Sequence, residues 1–382
     1  MIDLEDRSIQ EALLGRRVVK VLRSTDARRL RGQRVLITGA GGTIGSALAR
    51  QVAACDPAGV TLFDHSEYNL FRVLRAVRAS APSLRVEPVL GDVSKAWSIG
   101  NACRLGRPDV VYHAAAYKHV TMTEGAVCAA IECNVIGTVT TLAAAAEAEA
   151  RFVLISSDKA AAPSSVMGAT KRLAELATVA RSTASFRPIV VRFGNVLGSS
   201  GSVVELMLEQ IQADRSIEIT DLDATRFFMT ATEAAALVVK ADLLGQSGVT
   251  YWLDVGRPVK IADLAMRAMV LANHRVPIEV IGLRPGEKRT EALHDQGLEL
   301  ARTAHPRIHA ARQPLFDADL VGRTLRSLRH DVAVGDARAA LEALVTAVPG
   351  FLPSASAIEA AAGSSVGHAL GPVEAVPMHR SA

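Results

Sequence analysis

Short β-branched runs alternate with longer amphipathic segments in the part of the chain between Arg34 and Arg192. Strand-length runs separated by helix-length segments predict βαβ units, which form a parallel sheet with right-handed crossovers and helices on both faces. The predicted strands are residues 35–37, 60–63, 86–90, 110–112, 152–155 and 189–191. The expected fold class is therefore α/β, a Rossmann-like doubly wound parallel sheet with a smaller mixed α/β substrate lobe.

The pattern divides the 382 residues into four parts. Residues 1–31 carry basic side chains around two apolar pairs, and we expect them to pack on the outside as a leader. Residues 32–195 form the Rossmann domain, and residues 196–350, with shorter mixed elements, form the substrate lobe interleaved with it. Residues 351–382 are rich in Ala, Gly, Ser and Pro and are expected to be disordered. Helices are predicted over residues 124–149, 202–213, 233–244 and 261–271.

Composition excludes several classes of protein. A balance of 43 basic against 39 acidic residues gives a net charge of only +4, so no nucleic-acid partner is expected. The four cysteines contain no Cys-x-x-Cys pair, which predicts neither disulfides nor a metal site and favours a cytoplasmic location. The start of the chain lacks the features of a signal peptide, and no charge-free apolar stretch reaches the roughly 18 residues of a transmembrane segment.

A predicted strand, a Gly-rich turn and the start of a helix follow one another from Val35 to Gly45. Glycines let the backbone approach a pyrophosphate, and the helix N-terminus offers free N–H groups to it. A Gly-rich turn alone is a weak signal, but Asp64 ends the second strand where an acid grips an adenosine ribose. Residues 32–195 are therefore expected to bind NAD or NADP. The carboxylate of Asp64 favours NAD, whereas His65 and Ser66 could accommodate the phosphate of NADP.

The predicted cofactor site extends along the carboxyl ends of the first four strands, where parallel strands meet at one edge of the sheet. It comprises Thr38, Gly39, Gly42, Thr43, Ile44, Gly45, Asp64, His65, Ser66, Asp92, Val93, Ala114, Ala115 and Ala116.

Ser157, Asp158 and Lys159 follow the fifth predicted strand, and Met167 and Lys171 come after a short loop. In a dinucleotide-binding fold a hydroxyl residue, a Tyr and a Lys normally take part in catalysis here, and Met167 occupies the tyrosine position. A thioether is neither a general acid nor a general base, so the proton transfers must fall to Asp158 and Lys159. This pair indicates more than a simple dehydrogenase.

Eight ordered motifs resemble those of the nucleotide-sugar 4,6-dehydratases of bacterial polysaccharide biosynthesis. These are extended short-chain dehydrogenase/reductase proteins that act on UDP-N-acetylglucosamine. The motifs lie at residues 38–45, 63–69, 113–120, 156–159, 167–172, 191–199, 226–230 and 283–288. With Met167 the chain resembles the catalytic part of the large membrane-anchored members. Those carry transmembrane segments and a further domain ahead of that part, and we expect neither here, although residues 12–17 resemble the linker.

The resemblance implies oxidation at sugar C4, loss of water across C5 and C6, and return of the hydride to C6. The product would be a UDP-4-keto-6-deoxy-N-acetylhexosamine, and the NAD or NADP would be tightly bound. The sequence leaves retention or inversion at C5 open, and the resemblance to the members with Met favours retention. Lys159 would be a neutral base at C5 and Asp158 a protonated acid for the 6-hydroxyl. Ser157 would bond the 4-oxygen, and Lys171 the nicotinamide ribose. The group that takes the 4-hydroxyl proton is left open among Asp158, Lys159 and a bound water.

The resemblance also implies a UDP-sugar as the binding partner, and we expect a homo-oligomer. The implied substrate-binding residues are Lys118, His119, Asn195, Arg226, Arg284 and Glu287. Arg226 and Arg284 would bind the diphosphate in bidentate fashion, helped by Asn195. Two other functions are weighed against this one. A nucleotide-sugar 4-epimerase normally keeps the tyrosine, and a non-catalytic redox sensor would not need Asp158 and Lys171.

Overall fold

The computed structural model describes residues 2–245, 248–292, 294–295 and 298–363. Its strands are β1 (Arg34–Thr38), β2 (Gly59–Asp64), β3 (Val86–Leu90), β4 (Val110–His113), β5 (Arg151–Ile155), β6 (Ile189–Arg192), β7 (Asn195–Leu197), β8 (Ile217–Ile219), β9 (Thr225–Arg226), β10 (Phe228–Thr230), β11 (Val249–Leu253), β12 (Val259–Lys260), β13 (Ile278–Val280), β14 (Ala301–Arg302) and β15 (Ile308–Arg312).

The α-helices are α1 (Arg7–Leu14), α2 (Ser24–Leu30), α3 (Thr43–Ala53), α4 (Glu67–Ser80), α5 (Ala96–Gly106), α6 (Val120–Glu124), α7 (Val127–Ile131), α8 (Gly137–Glu147), α9 (Val166–Ala180), α10 (Val203–Gln212), α11 (Ala231–Leu244), α12 (Ile261–Ala272), α13 (Ala318–Val334), α14 (Ala337–Ala347) and α15 (Ala355–Gly363). The predicted helices in the second half of the chain correspond to α10, α11 and α12.

The main sheet has nine strands in the order β14-β15-β11-β6-β5-β4-β1-β2-β3. Strands β1 to β6 and β11 are parallel, and β15 runs antiparallel to both of its neighbours. The order β3-β2-β1-β4-β5-β6 is that of a Rossmann fold, so the predicted fold class is confirmed. Three further two-stranded sheets, β7 with β10, β8 with β13 and β9 with β12, lie outside it.

Apolar side chains cover both faces of the main sheet because helices pack on both. On β1, Val35 and Ile37 face the core formed with α3, α4 and α11, whereas Leu36 faces the core formed with α5, α8 and α9. A third core joins α1, α10 and α12 with the β8–β13 sheet. This last cluster forms the smaller lobe.

The segment predicted as one helix over residues 124–149 is divided in the structure. Helices α6 and α7 are separate, and a π-helical turn, Glu132–Ile136, joins α7 to α8. Within the described residues the run Val127–Glu147 is the one helix whose length and mean hydropathy of 1.6 would allow it to cross a membrane. However, 61% of its most apolar stretch is buried inside the fold, and this packing accounts for the apolar composition.

The leader, residues 2–31, contributes to the cores rather than lying only on the outside as predicted. Leu13 is fully buried against the smaller lobe, where α1 contacts α12. Arg16 forms a bidentate ion pair with the buried Glu233, with N–O distances of 2.8 and 2.9 Å. Helix α2 packs on α11, and Arg29 donates to the Leu243 carbonyl at 2.6 Å. Apolar residues of the leader therefore have fixed partners.

The C-terminal part of the described chain also differs from the prediction. Helices α13 and α14, expected in the substrate lobe, pack instead on α7 and α9 of the Rossmann domain. Residues 351–363 were expected to be disordered, but Phe351 is buried and α15 packs on α14 through Ala357 and Ala361. Small alanine side chains let this helix approach closely, which composition alone does not reveal. Residues 364–382 lie outside the described residues.

Replacing Phe351 with alanine should lower the free energy of unfolding by about 3–5 kcal/mol, because a buried aromatic side chain is lost and a cavity remains. The neighbouring Leu352 is 79% exposed, so Leu352→Ala is the matched control and should change stability by less than about 0.5 kcal/mol. Urea denaturation of both variants measures the difference. Equal midpoints would show that this segment does not pack on the fold.

Candidate active site

The loop between β1 and α3 has glycines where side chains would collide with neighbouring backbone. Gly39 has a φ of +63°, and a Cβ there would lie 2.7 Å from the Ala115 amide nitrogen. A Cβ on Gly45 would collide with the Gly39 carbonyl oxygen. Gly42 precedes the first residue of α3 in extended conformation and caps its N-terminus. This loop fits a pyrophosphate, since its bare backbone and a helix N-terminus face the same side.

A cavity of about 220 Å³ lies at the carboxyl ends of β1 to β4. The strand order reverses between β1 and β4, which is where dinucleotides bind in doubly wound sheets. Its predicted lining residues are Gly39, Gly42, Asp64, His65, Asp92, Val93, Ala114, Ala115 and Ala116. Residues not predicted complete the wall: Phe63, Asn69, Gly91, Tyr117, Ala129, Glu132 and Cys133. The structure thus brings most of the predicted cofactor residues together.

Asp64 is held in place by backbone amides. Its Oδ2 accepts a hydrogen bond from Gly41 N at 2.8 Å and its Oδ1 accepts one from Ser66 N at 2.9 Å. Each carboxylate oxygen has further acceptor capacity, so two ribose hydroxyls can still donate to it. His65 is exposed beside it, and the Ser66 hydroxyl caps α4 by accepting from Asn69 N at 3.3 Å.

Thr38, predicted to touch the cofactor, is fully buried, and its hydroxyl is bonded within the sheet. Its hydroxyl donates to His113 Nδ1 at 2.7 Å and so ties β1 to β4. Thr138 Oγ1 donates to the Asn134 carbonyl at 2.7 Å, which leaves it to accept from His113 Nε2 at 3.1 Å. Burial, assisted by the charge on Lys171, lowers the pKa of His113 to about 3, so the ring is neutral.

Two other predicted residues of the Gly-rich loop are also accounted for. Ile44 packs on the hydrophobic core beneath the loop. Thr43 Oγ1 accepts a hydrogen bond from Ser200 N at 3.3 Å, which places the loop after β7 over the start of α3. This hydrogen bond joins the segment after β7 to the Gly-rich loop.

Directly after β5, the side chains of Ser157 and Lys159 both donate to one carboxylate oxygen of Asp158. The Ser157 hydroxyl donates to Asp158 Oδ1 at 2.8 Å, and Lys159 Nζ donates to the same oxygen at 3.0 Å. Asp158 is fully buried, and its Oδ2 has no hydrogen-bond partner among the described residues. A buried unpartnered carboxylate oxygen costs free energy, so this atom marks a place where a ligand can donate a hydrogen bond.

The neighbouring carboxylates favour the charged form of Lys159 in this substrate-free site, whereas the resemblance implies a neutral amine during the reaction. Burial acts to lower its pKa, but the carboxylates of Asp158 and Glu291 outweigh burial and the opposing charge of Arg226. The net result is a raised pKa. Asn195 adds a further acceptor, since its Oδ1 lies 3.2 Å from Lys159 Nζ. Without substrate, therefore, Asp158 and Lys159 form an ion pair.

Helix α9 places Met167 and Lys171 beside this pair. The helix begins after Ser165, whose hydroxyl accepts from Gly168 N at 3.1 Å. A Cβ on Gly168 would collide with the Lys159 carbonyl, so the first turn of α9 lies against the strand end. Met167 is buried, and Lys171 Nζ donates to the Ile155 carbonyl at 2.6 Å. Burial lowers the pKa of Lys171 to about 8.

Arg226, predicted to bind the diphosphate, uses its guanidinium for contacts within the fold. It is buried, and its guanidinium donates to the carbonyls of Lys288 at 2.6 Å and Arg289 at 2.9 Å. It also donates to Glu287 Oε1 at 3.1 Å, so the predicted Glu287 carboxylate is partly used within the loop. Arg284 remains exposed at the start of this loop.

Lys118 and His119 lie on the segment between β4 and α6. A Cβ on Gly201 would lie 2.7 Å from His119 Cε1, so the His119 ring packs on the loop after β7. Partial burial lowers the pKa of Lys118, and the charge of Glu205 opposes this effect. Partial burial also lowers the pKa of His119, and the charge of Lys118 lowers it further. Neither side chain lines the cavity described above or belongs to the strand-end cluster, so their contact with substrate stays a prediction.

Asn134 is a buried site residue that sequence reasoning missed. Its side chain accepts from Tyr117 N at 2.8 Å and donates to the Tyr117 carbonyl at 3.0 Å, which fixes the loop after β4. It also donates to Thr170 Oγ1 at 3.0 Å, next to Lys171 on α9. Asn134 lies in the π-helical turn, and such turns are frequent at functional sites. A lone amide inside an apolar helix was the available signal.

The sequence profile described as "Polysaccharide biosynthesis protein" matches residues 35–313, which include the Gly-rich loop, the cavity and the strand-end cluster. The chain belongs to this family. The family predicted from the ordered motifs is thereby confirmed. The solved structure of Pen from Bacillus thuringiensis is similar to this chain, with a TM-score of 0.69 at 31% identity. That similarity covers 75% of this chain and 90% of Pen.

Two relatives show how much of a longer chain this family member shares. The capsular polysaccharide biosynthesis protein CapD of Staphylococcus aureus is 42% identical over 293 residues, 74% of this chain and 48% of CapD. The probable polysaccharide biosynthesis protein EpsC of Bacillus subtilis is 38% identical over 341 residues, 88% of this chain and 57% of EpsC. The chain thus spans about half the length of these two proteins.

In this family member, Gly45→Ala should weaken NAD binding at least roughly tenfold. The added methyl group collides with the Gly39 carbonyl oxygen, and a strain of only about 1.4 kcal/mol in the bound state lowers affinity tenfold. Gly100→Ala on α5 is the matched control, since beyond the adjacent backbone of its own helix the added Cβ meets no described atom within 4 Å. Calorimetric titration of cofactor-stripped protein measures both affinities. Equal affinities would show that the loop after β1 does not hold the cofactor.

Proposed function

We propose that the protein is an NAD(P)-dependent UDP-N-acetylglucosamine 4,6-dehydratase. It would oxidise C4, remove water across C5 and C6 and return hydride to C6, for surface polysaccharide or glycan biosynthesis. The observation that carries this proposal is the buried Asp158–Lys159 pair beside Met167, at the strand edge that also bears the Gly-rich loop. An acid and a base side by side suit an elimination, which a simple oxidation does not require.

A bound nicotinamide dinucleotide would supply the acceptance and the return of hydride. The loop from Gly39 to Gly45 would hold its pyrophosphate, and Asp64 would accept from ribose hydroxyls. Lys171, one turn after Met167, would bond the nicotinamide ribose. The carboxylate of Asp64 supports NAD as the cofactor.

The Ser157–Asp158 hydrogen bond offers a path for the proton of the 4-hydroxyl. Ser157 would take this proton while passing its own along the 2.8 Å bond to Asp158 Oδ1. Asp158 would then be the protonated acid that the departing 6-hydroxyl requires. After it delivers that proton, Asp158 is again a carboxylate, ready for the next turnover.

Lys159 would act as the base at C5. Its side chain is 20% exposed, so its proton can pass to water once Asp158 has become neutral. The amine would then take the C5 proton and later return it to the same face of the sugar, with retention at C5. Because Lys159 begins with a raised pKa, the rate of C5 deprotonation should rise with pH toward that value.

Mass spectrometry of the purified protein with UDP-N-acetylglucosamine tests the proposal. The expected product has lost one water, and no stoichiometric reduced cofactor should appear because the hydride is returned. An isomer of unchanged mass would identify an epimerase. Absence of any product would favour a non-catalytic dinucleotide-binding protein.

Asp158→Asn should slow elimination by roughly 10²–10⁴-fold, since the amide keeps the shape but cannot deliver the proton to the 6-hydroxyl. Met167→Leu is the matched comparison at the same site. It should cost little activity, because swaps of apolar side chains with similar volume are tolerated. Water loss and exchange of the C5 proton with solvent deuterium report both variants. An inactive Met167→Leu with a fast Asp158→Asn would contradict the proposed division of roles.

A further inference from the structure

Glu291 lies beside the Asp158–Lys159 pair although it is distant along the chain and in none of the predicted motifs. Its side chain is only 4% exposed, and its Oε1 is 3.8 Å from Lys159 Nζ. Its Oε2 is 3.7 Å from Lys288 Nζ and has no hydrogen-bond partner within the part of the chain that the structure describes. A second buried carboxylate therefore faces the same amine as Asp158.

The backbone around Glu291 is attached to the strand end that bears Lys159. Lys288 Nζ donates to the carbonyls of Ala161 at 3.2 Å and Ala162 at 2.6 Å, directly after the Lys159 turn. On the other side, the buried Arg226 donates to the Lys288 and Arg289 carbonyls. Thr290 forms a bridge with Thr225. These contacts fix the position of Glu291 relative to Lys159.

The charged groups around Lys159 come from four segments of the chain. Asp158 and Glu291 are the two anions, Arg226 is a cation, and Asn195 contributes its amide oxygen. Glu291 itself is faced by Lys159 and Lys288. When Asp158 accepts a proton during the proposed cycle, Glu291 becomes the remaining anion next to the amine.

We propose that Glu291 is a positioning residue that holds Lys159 Nζ between two carboxylates and thereby controls how readily this amine gives up its proton. Its effect on catalysis rests on the proposed function, whereas its effect on Lys159 does not involve substrate. Removal of the Glu291 charge stabilises the neutral amine, because burial then opposes the ammonium with only one anion to counter it.

Chemical labelling of the substrate-free protein tests the effect on Lys159 directly. Only the neutral amine reacts with acetic anhydride, so the rate of Lys159 acetylation at pH 8, relative to the exposed Lys20, reports its readiness to lose a proton. In Glu291→Gln, which preserves size, this ratio should rise roughly tenfold for each unit by which the pKa falls. Glu291→Asp keeps the charge and should return the ratio toward the wild-type value.

Glu279→Gln makes the same chemical change on an exposed strand and should leave the ratio unchanged. An unchanged ratio in Glu291→Gln overturns the inference. An equal rise in Glu291→Gln and Glu291→Asp also overturns it, because altered packing and not charge would then be the cause.

Catalysis supplies the second measurement. The pH profile of C5 proton exchange should move to lower pH in Glu291→Gln, since less alkaline conditions then suffice to free the amine. A purely structural residue would lower the rate without moving the profile, and that result overturns the inference. If wild-type protein fails to dehydrate UDP-N-acetylglucosamine, the proposed function is wrong, and the acetylation ratio still decides the role of Glu291.

Discussion

A fully buried arginine joins the elements that carry the candidate site. Arg192, at the end of β6, contacts Glu175 on α9 at 2.7 Å and Asp295 at 3.0 Å, and its guanidinium lies 5.3 Å from the centre of the Trp252 ring on β11. Glu175 also accepts from the Ser156 hydroxyl at 2.6 Å, at the end of β5. Loss of one partner of a buried ion pair typically costs about 3–5 kcal/mol, so these elements are held together firmly.

This junction explains why Asp158, Lys159 and Lys171 lie together. Ser156 directly precedes Ser157, and Glu175 is one turn after Lys171 on α9. The contacts of Glu175 with Ser156 and Arg192 therefore fix the two segments relative to each other. The segment after Glu291 is drawn to the same point through Asp295. Water is largely excluded from this region, and interactions between its charges are therefore stronger than they would be at the surface.

Features that depend on local geometry could be predicted from the sequence. The Gly-rich loop and Asp64 are placed by the strand-turn-helix pattern alone, because parallel strands end at one edge of the sheet. Met167 and Lys171 follow from helical spacing. Each of these signals needs only a few consecutive residues.

Features that depend on contacts between distant segments could not be predicted. Arg226 was expected to bind a diphosphate. Its position in a motif does not reveal the backbone carbonyls that its guanidinium contacts in the fold. Glu291 could not be predicted as a site residue, because its partner Lys159 lies more than 100 residues away in the sequence. Residues 351–363 have the composition of a disordered segment, and their packing in one apolar cluster with α14 explains their order.

The methionine and the raised pKa of Lys159 are connected in the proposed cycle. A tyrosine would have provided a phenol to accept the 4-hydroxyl proton, and Met167 provides none. Asp158 must therefore start as a carboxylate, which an adjacent ammonium stabilises. Once Asp158 takes the proton, one of the two anions around Lys159 is lost, so its pKa falls just when a neutral amine is needed. The ion pair seen without substrate is thus the starting state of a base, and the charge of Glu291 limits how early that base is released.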